Sequence, residues 1–312
     1  MEQNEITVDA AKEMLKSCRL CPRACKANRI EGERGYCGAG LRMKIARADL
    51  HFWEEPCISG KKGSGAVFFS GCNLRCIFCQ NHEIANQLKG KEFTAQELAE
   101  CFLMLEKKGA NNINLVTATP YLPQLILAIR QAKEMGLQIP FVYNSSGYES
   151  AEAIRLLDGL IDIYLPDFKY MDSQMAKEYS HAEDYPSRVK EALAEMVRQT
   201  GGAKMHFNHE GLMQKGVIVR HLLMPGHVKN AKAVLNYLYS SYGDDIYISI
   251  LQQYTPILSN PKIKEDRLLS RKVTRREYER LLDYALELGI KNAFIQERGV
   301  AKESFIPSWD LM

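Results

Sequence analysis

Three cysteines stand close together in the first third of the chain. Cys72, Cys76 and Cys79 have the spacing C-x3-C-x2-C and follow a short apolar run at residues 66–70. Three thiolates can bind three irons of a [4Fe–4S] cluster and leave the fourth iron free for another ligand. Zinc would require a fourth protein ligand, and three unrelated buried thiols are the other alternative. Phe78, beside the last cysteine, would help to shield a cluster from water.

Four more cysteines form a second group upstream. Cys18, Cys21, Cys25 and Cys37 lie within twenty residues of one another. Such a set is sufficient for a tetrahedral zinc site or for a saturated iron–sulfur cluster, and reduced structural thiols are the alternative. A proline directly after the second cysteine favours iron–sulfur slightly over zinc. A metal here would order a segment too small to make its own core, and iron would also allow electron relay.

The composition indicates a globular chain without a membrane or nucleic-acid partner. Its 312 residues are 46% hydrophobic, and a formal net charge of +3 gives no long-range field for nucleic acid. No run of about 18 apolar residues is present, and the acidic start MEQNEITVDAAKEML is unlike a secretory signal. Seven of the nine cysteines fall in the two groups, which is typical of metal ligands in a reducing compartment. We therefore expect a cytoplasmic monomer.

The elements that position these residues follow from the hydrophobic pattern. From residue 65 onward, short apolar runs alternate with longer amphipathic segments, which predicts repeated β–α units and a parallel sheet. About six units fit the length, too few for a closed eight-unit barrel, so the predicted fold class is α/β, a partial (β/α)6 barrel. Strands are predicted at residues 66–70, 113–116, 140–143, 161–165, 216–223, 246–251 and 293–296. Helices are predicted at residues 8–16, 94–109, 121–135, 151–157, 229–239 and 275–288, with two more within 172–199.

The remaining segments have weaker patterns. Residues 43–47 suggest a short strand or hairpin, and residues 200–215 an exposed loop or hairpin. We expect an N-terminal cysteine-rich metal-binding module at 1–60, the barrel at 61–298 and a C-terminal tail at 299–312. The three-cysteine loop then lies at the C-terminal end of the first barrel strand, where active sites of β/α folds lie.

The loop sequence GCNLRCIFCQN resembles the radical S-adenosylmethionine (SAM) superfamily, and its Gln80-Asn81 ending is similar to the glycyl-radical activating enzymes. The likeness extends over residues 65–297. The whole chain, including CRLCPRACKANRIEGERGYCGAG and HFWEEPCISG, resembles the PflX-like branch, which is related to pyruvate formate-lyase activating enzyme. The resemblance implies a [4Fe–4S] cluster whose free iron binds SAM, cleavage of SAM to methionine and a 5′-deoxyadenosyl radical, and abstraction of a hydrogen atom from a substrate.

The resemblance also assigns residues to the binding of SAM. Superfamily members often carry Gly-Gly-Glu after the second strand, where this chain has Thr117-Ala118-Thr119-Pro120. The Thr117 or Thr119 hydroxyl could accept hydrogen bonds from the SAM ammonium, although the carboxylate is missing. An ordinary strand-end turn is the alternative. Asn144 and Ser145, after the third strand, are similar to an amide and hydroxyl segment of the activating enzymes and suit a carboxylate or ribose, unless they form only a polar turn.

Two further strands end in charged residues. Asp167 and Lys169 resemble the Asp-x-Lys of the activating enzymes, whose aspartate faces the cofactor, and a plain surface salt bridge is the alternative. Arg220 and His221 are consecutive on a strand, so one of the two must face the barrel interior. An inward Arg220 could bind the SAM carboxylate through two hydrogen bonds.

Two classes of function compete at this point. The first is a radical SAM enzyme that takes an electron from a flavodoxin or ferredoxin-type reductant and acts on a glycine of a partner protein, on another peptide or on a small molecule. The second is a non-catalytic iron–sulfur electron carrier or a zinc-ribbon interaction protein. A core of barrel size and an open-sited cysteine triplet favour the enzyme.

Overall fold

A mixed β-sheet organises the chain in the computed structural model, which describes residues 7–296. Within that range its ten strands are β1 (Met43–His51), β2 (Ser64–Phe69), β3 (Lys91–Phe93), β4 (Ile113–Val116), β5 (Phe141–Ser145), β6 (Ile163–Pro166), β7 (His206–Phe207), β8 (Met213–Leu222), β9 (Tyr247–Leu251) and β10 (Ala293–Ile295). Their order across the sheet is β10-β9-β8-β6-β5-β4-β2-β1-β3, and β7 pairs with β8.

Helices connect most of the strands and cover one face of the sheet. In the described part of the chain they are α1 (Val8–Lys16), α2 (Pro56–Ser59), α3 (His82–Gln87), α4 (Ala95–Lys107), α5 (Leu122–Glu134), α6 (Ala151–Arg155), α7 (Ser173–Ser180), α8 (Tyr185–Thr200), α9 (Val228–Tyr242), α10 (Pro261–Glu265) and α11 (Arg275–Leu288). Helix α4 begins with a capping box, in which the side chains of Thr94 and Glu97 each accept a hydrogen bond from the other's backbone N–H.

The parallel strands form the predicted partial barrel. Strands β2, β4, β5, β6, β8, β9 and β10 pair in parallel, each with the next. The order begins at β10 and ends at β3, so the described strands do not close into a ring. The predicted α/β class and the open β/α architecture are therefore confirmed.

The weaker sequence patterns also correspond to structure. The strand suggested at residues 43–47 extends over all of β1, which pairs antiparallel with both β2 and β3. The hairpin suggested at 200–215 is formed by β7 and β8. Because β1 belongs to the same sheet as the barrel strands, the N-terminal residues are joined to the barrel by backbone hydrogen bonds. The division into domains stays a prediction, and the tail at 299–312 lies outside the described residues.

The two faces of the sheet are covered differently. Helices pack a large apolar core against one face, including the side chains of Leu115 and Val219. On the concave face, Ile58 of α2 and Met213 pack on Ile163 in a smaller cluster. The N-terminal segment therefore enters the barrel interior and fills part of it. Among residues 7–296, no helix is long and apolar enough to cross a lipid bilayer.

Candidate functional site

The three-cysteine loop runs from the end of β2 to the start of α3. Its first residue, Gly71, has a φ of +92°, and a Cβ there would lie 2.8 Å from the carbonyl oxygen of Cys37. Glycine is required at this position because both the left-handed backbone and the close approach exclude a side chain. Arg75, inside the loop, also has a positive φ of 55°. The loop is thus a tightly wound segment in direct contact with the upstream cysteine group.

The thiols of this loop lie close to one another and are largely buried. Burial and the proximity of Cys72 raise the pKa of the Cys76 thiol to about 11, and the same causes raise the pKa of Cys79. Lys169 faces Cys76 and partly offsets this rise. Thiolates held this close together repel one another and require a cationic partner, which iron supplies when it binds them. The donor set therefore fits a metal cluster.

The spacing of the sulfurs matters for the kind of metal. In the described part of the chain, no three His, Cys, Asp or Glu side chains converge as the ligands of a single metal ion must. A cubane cluster makes a different demand, because each cysteine binds a different iron and the sulfurs stand further apart. Binding of a cubane cluster by the three-cysteine loop therefore stays a prediction.

Neighbouring segments hold the loop from two sides. The Ser180 hydroxyl, at the end of α7, donates a hydrogen bond of 2.9 Å to the sulfur of Cys76. The backbone N–H of Ile77 donates to the carbonyl of Tyr179 at 2.9 Å. Phe78 is buried, as expected, and its ring lies 6.3 Å from that of Tyr254. Hydrogen bonds to a ligating sulfur and exclusion of water both tune the potential of a cluster.

The predicted SAM contacts after β4 and β5 have partners of their own. Thr117 has a φ of 63°, which is rare for a β-branched residue and marks a strained strand end. The hydroxyls of Thr119 and Ser145 donate to the two carboxylate oxygens of Glu149, at 2.9 and 3.0 Å. Burial raises the pKa of Glu149 to about 7. The proposed roles of the two threonines and Ser145 toward SAM stay predictions, and Glu149 is a contact that the sequence reasoning missed.

Charged residues meet on the concave face of the sheet. Arg220 faces the interior, and its guanidinium donates to Asp167 at 3.0 Å, to Glu54 at 3.2 Å and to the Asn144 amide oxygen. Asp167 also pairs with Lys169. Four of the predicted residues are therefore in one network. The resemblance alone did not identify Glu54, which comes from the segment between β1 and α2.

The pKa values of this network follow from burial and pairing. Burial alone would raise the pKa of Asp167, but the positive charges of Lys169 and Arg220 lower it. Burial raises the pKa of Glu54, although Arg220 opposes the rise. The Asp167–Lys169 pair thus remains charged beside Cys76. The surface-salt-bridge alternative does not fit, because the two side chains are 25% and 17% exposed.

A cavity of about 380 Å³ lies over the concave face, a size typical of a small-molecule site. Its lining includes Gln80 and Asn81, directly after the third cysteine, and also Glu54, Glu55 and Arg220. The cavity therefore leads from the three-cysteine loop to the charged network.

The upstream cysteine group also surrounds one small cavity. All four of its cysteines line this cavity, together with Arg23, Tyr36 and Asn73. The Arg23 guanidinium lies 4.1 Å from the centre of the Tyr36 ring and donates to the carbonyl of Asn73 at 2.9 Å. Burial raises the pKa of Cys21 to about 12. The four cysteines thus lie around one cavity but, among the described residues, do not converge as the ligands of a single metal ion, and their binding of a second metal stays a prediction.

Together, the open parallel sheet and the three-cysteine loop beside its cavity define a β/α protein with a candidate site at its strand ends. The sequence profile of the Radical SAM superfamily matches residues 66–227, and the chain belongs to that superfamily. Membership implies a [4Fe–4S] cluster, SAM and radical chemistry, and it favours an enzyme over the electron-carrier and zinc-ribbon alternatives.

Individual relatives agree with this assignment. The chain is 29% identical over 291 residues to an uncharacterized protein of Methanocaldococcus jannaschii, covering 90% of this chain and 78% of the relative. It is 31% identical over 111 residues to the pyruvate formate-lyase-activating enzyme of Clostridium pasteurianum, covering 34% of this chain and 45% of that one. A radical SAM methyltransferase from Sphaerobacter thermophilus has a similar fold, with a TM-score of 0.51 at 14% identity over 76% of this chain and 67% of that chain. The relation to the activating enzymes is therefore confirmed.

Proposed function

We propose that this protein binds a [4Fe–4S] cluster through Cys72, Cys76 and Cys79 and uses SAM to abstract a hydrogen atom from a substrate held in the interior cavity. The observation that carries the proposal is the position of Gln80 and Asn81, which line the cavity directly after the last cysteine. A substrate in the cavity is thus next to the place where SAM would be cleaved. When bound, the cluster supplies the electron that breaks the sulfur–C5′ bond of SAM.

The chain's own residues position and shield the reactants. Lys169 and Asp167 form a charged pair beside Cys76, and Ser180 donates to the same sulfur. Asn144 lines the cavity and is held in place by a hydrogen bond from Arg220 to its amide oxygen. Its side chain would bind a polar group of SAM or of the substrate. Phe78 and the packing around it exclude water from the loop.

The substrate is the finer part of the proposal. Similarity to an activating enzyme over 111 residues supports a glycine of a partner protein as the donor of the hydrogen atom. A cavity of about 380 Å³ supports a small molecule or a single peptide side chain. A flavodoxin or ferredoxin-type protein would supply the electron in either case. Action as a monomer in the cytoplasm, without nucleic acid, stays a prediction.

The four upstream cysteines would hold a second metal, as iron–sulfur or zinc. Its proposed role is to fold residues 18–40 against the three-cysteine loop, since this segment has little regular structure of its own. Bound iron would also allow this site to pass electrons toward the loop.

The proposal is tested with protein reconstituted anaerobically with iron and sulfide. Reduction with dithionite and addition of SAM should yield 5′-deoxyadenosine, measured by chromatography with mass detection. A fully reconstituted protein that forms no 5′-deoxyadenosine would contradict the proposal. Metal analysis of the same sample distinguishes four irons plus zinc from eight irons.

A further inference from the structure

The lining of the cavity includes a carboxylate with one oxygen that accepts no hydrogen bond from the described residues. We propose that the substrate carries a positively charged nitrogen group, an alkylammonium or a guanidinium, and that Glu55 binds it. This inference rests on the proposed function, because it names the substrate class for the same cavity.

Glu55 is positioned by the backbone and left free at its tip. It is 7% exposed and lines the cavity, and its Oε2 atom has no hydrogen-bond partner in the described residues. Its carboxylate accepts from the side chain of Ser249 and from the backbone N–H of Glu55 itself. Although Glu55 directly precedes α2, its side chain does not cap that helix. A buried carboxylate oxygen without a partner is costly, which makes it a candidate for contact with a ligand.

The other charges around the cavity are already paired. Each arm of the Arg220 guanidinium has an acceptor, in Asp167, Glu54 and Asn144. Glu54 accepts from Arg220 and from the Asn114 amide at 2.9 Å. The charge balance of the network therefore leaves Glu55 as the excess negative group.

The remaining groups that face Glu55 do not supply a compensating charge. His51 lines the cavity, and burial together with the nearby Arg47 and Arg220 lowers its pKa, so its ring is neutral. Burial raises the pKa of Glu55, the charge of Arg220 opposes the rise only in part, and the nearby Glu54 adds to it. An anionic substrate would be repelled by Glu55, and no N–H group of Arg220 would be free to bind it.

The walls of the cavity suit the rest of such a substrate. Four aromatic side chains line the cavity: Phe52, Trp53, Phe68 and Phe294. Aromatic faces attract cations and also pack against an alkyl chain. A linear amine of four to five carbons, or a lysine or arginine side chain, would fit a cavity of about 380 Å³.

The test compares a charged probe with a neutral one of the same shape. Reconstituted protein is saturated with SAM but not reduced, so that no turnover occurs, and is titrated calorimetrically with n-butylamine and with 1-butanol. We expect n-butylamine to bind roughly 10- to 100-fold more tightly than 1-butanol, since a charge-assisted hydrogen bond in a buried site has that value. Glu55→Gln should remove this preference and leave 1-butanol binding unchanged. Glu210→Gln, an exposed carboxylate in the loop before β8, is the matched control and should behave as wild type.

Several results would overturn the inference. Equal affinity for the two probes in the wild type would do so, as would an n-butylamine preference that survives in Glu55→Gln. Displacement of SAM by n-butylamine would also contradict it, because the cation would then occupy the SAM position. A tripeptide with a central lysine, capped at both ends, distinguishes the two sources of the ligand. If the tripeptide binds, the ligand is a peptide side chain. If n-butylamine binds and the tripeptide does not, the ligand is a free amine. Since the binding is measured without reductant, its outcome is independent of whether SAM is cleaved.

Discussion

The two cysteine groups touch each other but are held by different means. The loop of Cys72, Cys76 and Cys79 follows a fully buried parallel strand and faces the charged pair of Asp167 and Lys169. The group from Cys18 to Cys37 lies in a segment whose only regular structure between α1 and β1 is one turn of 3-10 helix. The sheet therefore positions the first group, whereas we expect the second to depend for its order on the metal proposed there.

Among the changes that distinguish the two cysteine groups, loss of one loop cysteine should have the largest effect on SAM cleavage. Cys76→Ser removes a thiolate that no neighbour can replace, and we expect 5′-deoxyadenosine formation to fall to background while the upstream metal stays bound. Cys101→Ser, a buried cysteine of α4 outside both groups, is the control and should retain activity. Undiminished 5′-deoxyadenosine in Cys76→Ser would show that the cluster lies elsewhere.

Loss of an upstream cysteine should instead release the second metal and leave part of the SAM cleavage in place. Cys21→Ser should release the second metal and expose residues 18–40 to protease, because this segment has little core of its own. We expect SAM cleavage to fall by no more than roughly 10- to 100-fold, the effect typical of groups beyond the direct ligands. Metal content and limited proteolysis measure the two effects. Loss of all iron in Cys21→Ser would mean that the two groups share one site.

The charged network beside the loop should contribute strongly to stability. Arg220→Met leaves Asp167 and Glu54 buried without their partner, which should lower the free energy of unfolding by about 3–5 kcal/mol. Arg275→Met, which breaks an ion pair whose side chains are 69% and 48% exposed, is the control and should cost about 0–1 kcal/mol. Chemical denaturation measures both, and equal costs would contradict a buried ionised network.

Glu149, a buried carboxyl group on the side of the upstream cysteines, should have a smaller effect on stability, and this effect should depend on pH. Glu149 lies against Thr119, which lines the small cavity of the upstream group. Its pKa is raised from 4.5 to about 7, so its contribution to stability is complete below pH 4.5 and is lost as the pH rises through 7. This rise corresponds to at most roughly 3 kcal/mol.

Denaturation as a function of pH measures this contribution. Glu149→Gln keeps a neutral amide at the site and should flatten the fall in stability between pH 5 and 8, whereas the exposed Glu210→Gln should not. An unchanged pH profile in Glu149→Gln would mean that Glu149 is ionised in the folded protein.

The sequence predicts the framework better than the interior. Apolar runs such as residues 113–116 form strands with almost the expected bounds, because burial on both faces leaves a continuous hydrophobic signal. Alternation along β8 places Arg220 inward, and the loop cysteines are evident from their spacing alone. These features depend on local pattern.

Residues brought together by tertiary structure could not be predicted in the same way. Ser180 reaches Cys76 from a position 104 residues away, and nothing in the local pattern of α7 indicates it. Glu54 and Glu55 lie in an irregular segment, whose entry into the barrel depends on Ile58 packing against the sheet. A pair of adjacent acids beside two aromatic residues was the available signal, but it does not indicate burial.

Electron paramagnetic resonance of the reduced protein tests the central claim most directly. We predict a [4Fe–4S] signal in the wild type that changes when SAM is added, because SAM binds the iron that has no cysteine ligand. In Cys76→Ser this SAM-sensitive signal should be absent, while any signal from the upstream group persists unchanged. A SAM-sensitive signal that survives in Cys76→Ser would contradict the assignment of the cluster to Cys72, Cys76 and Cys79.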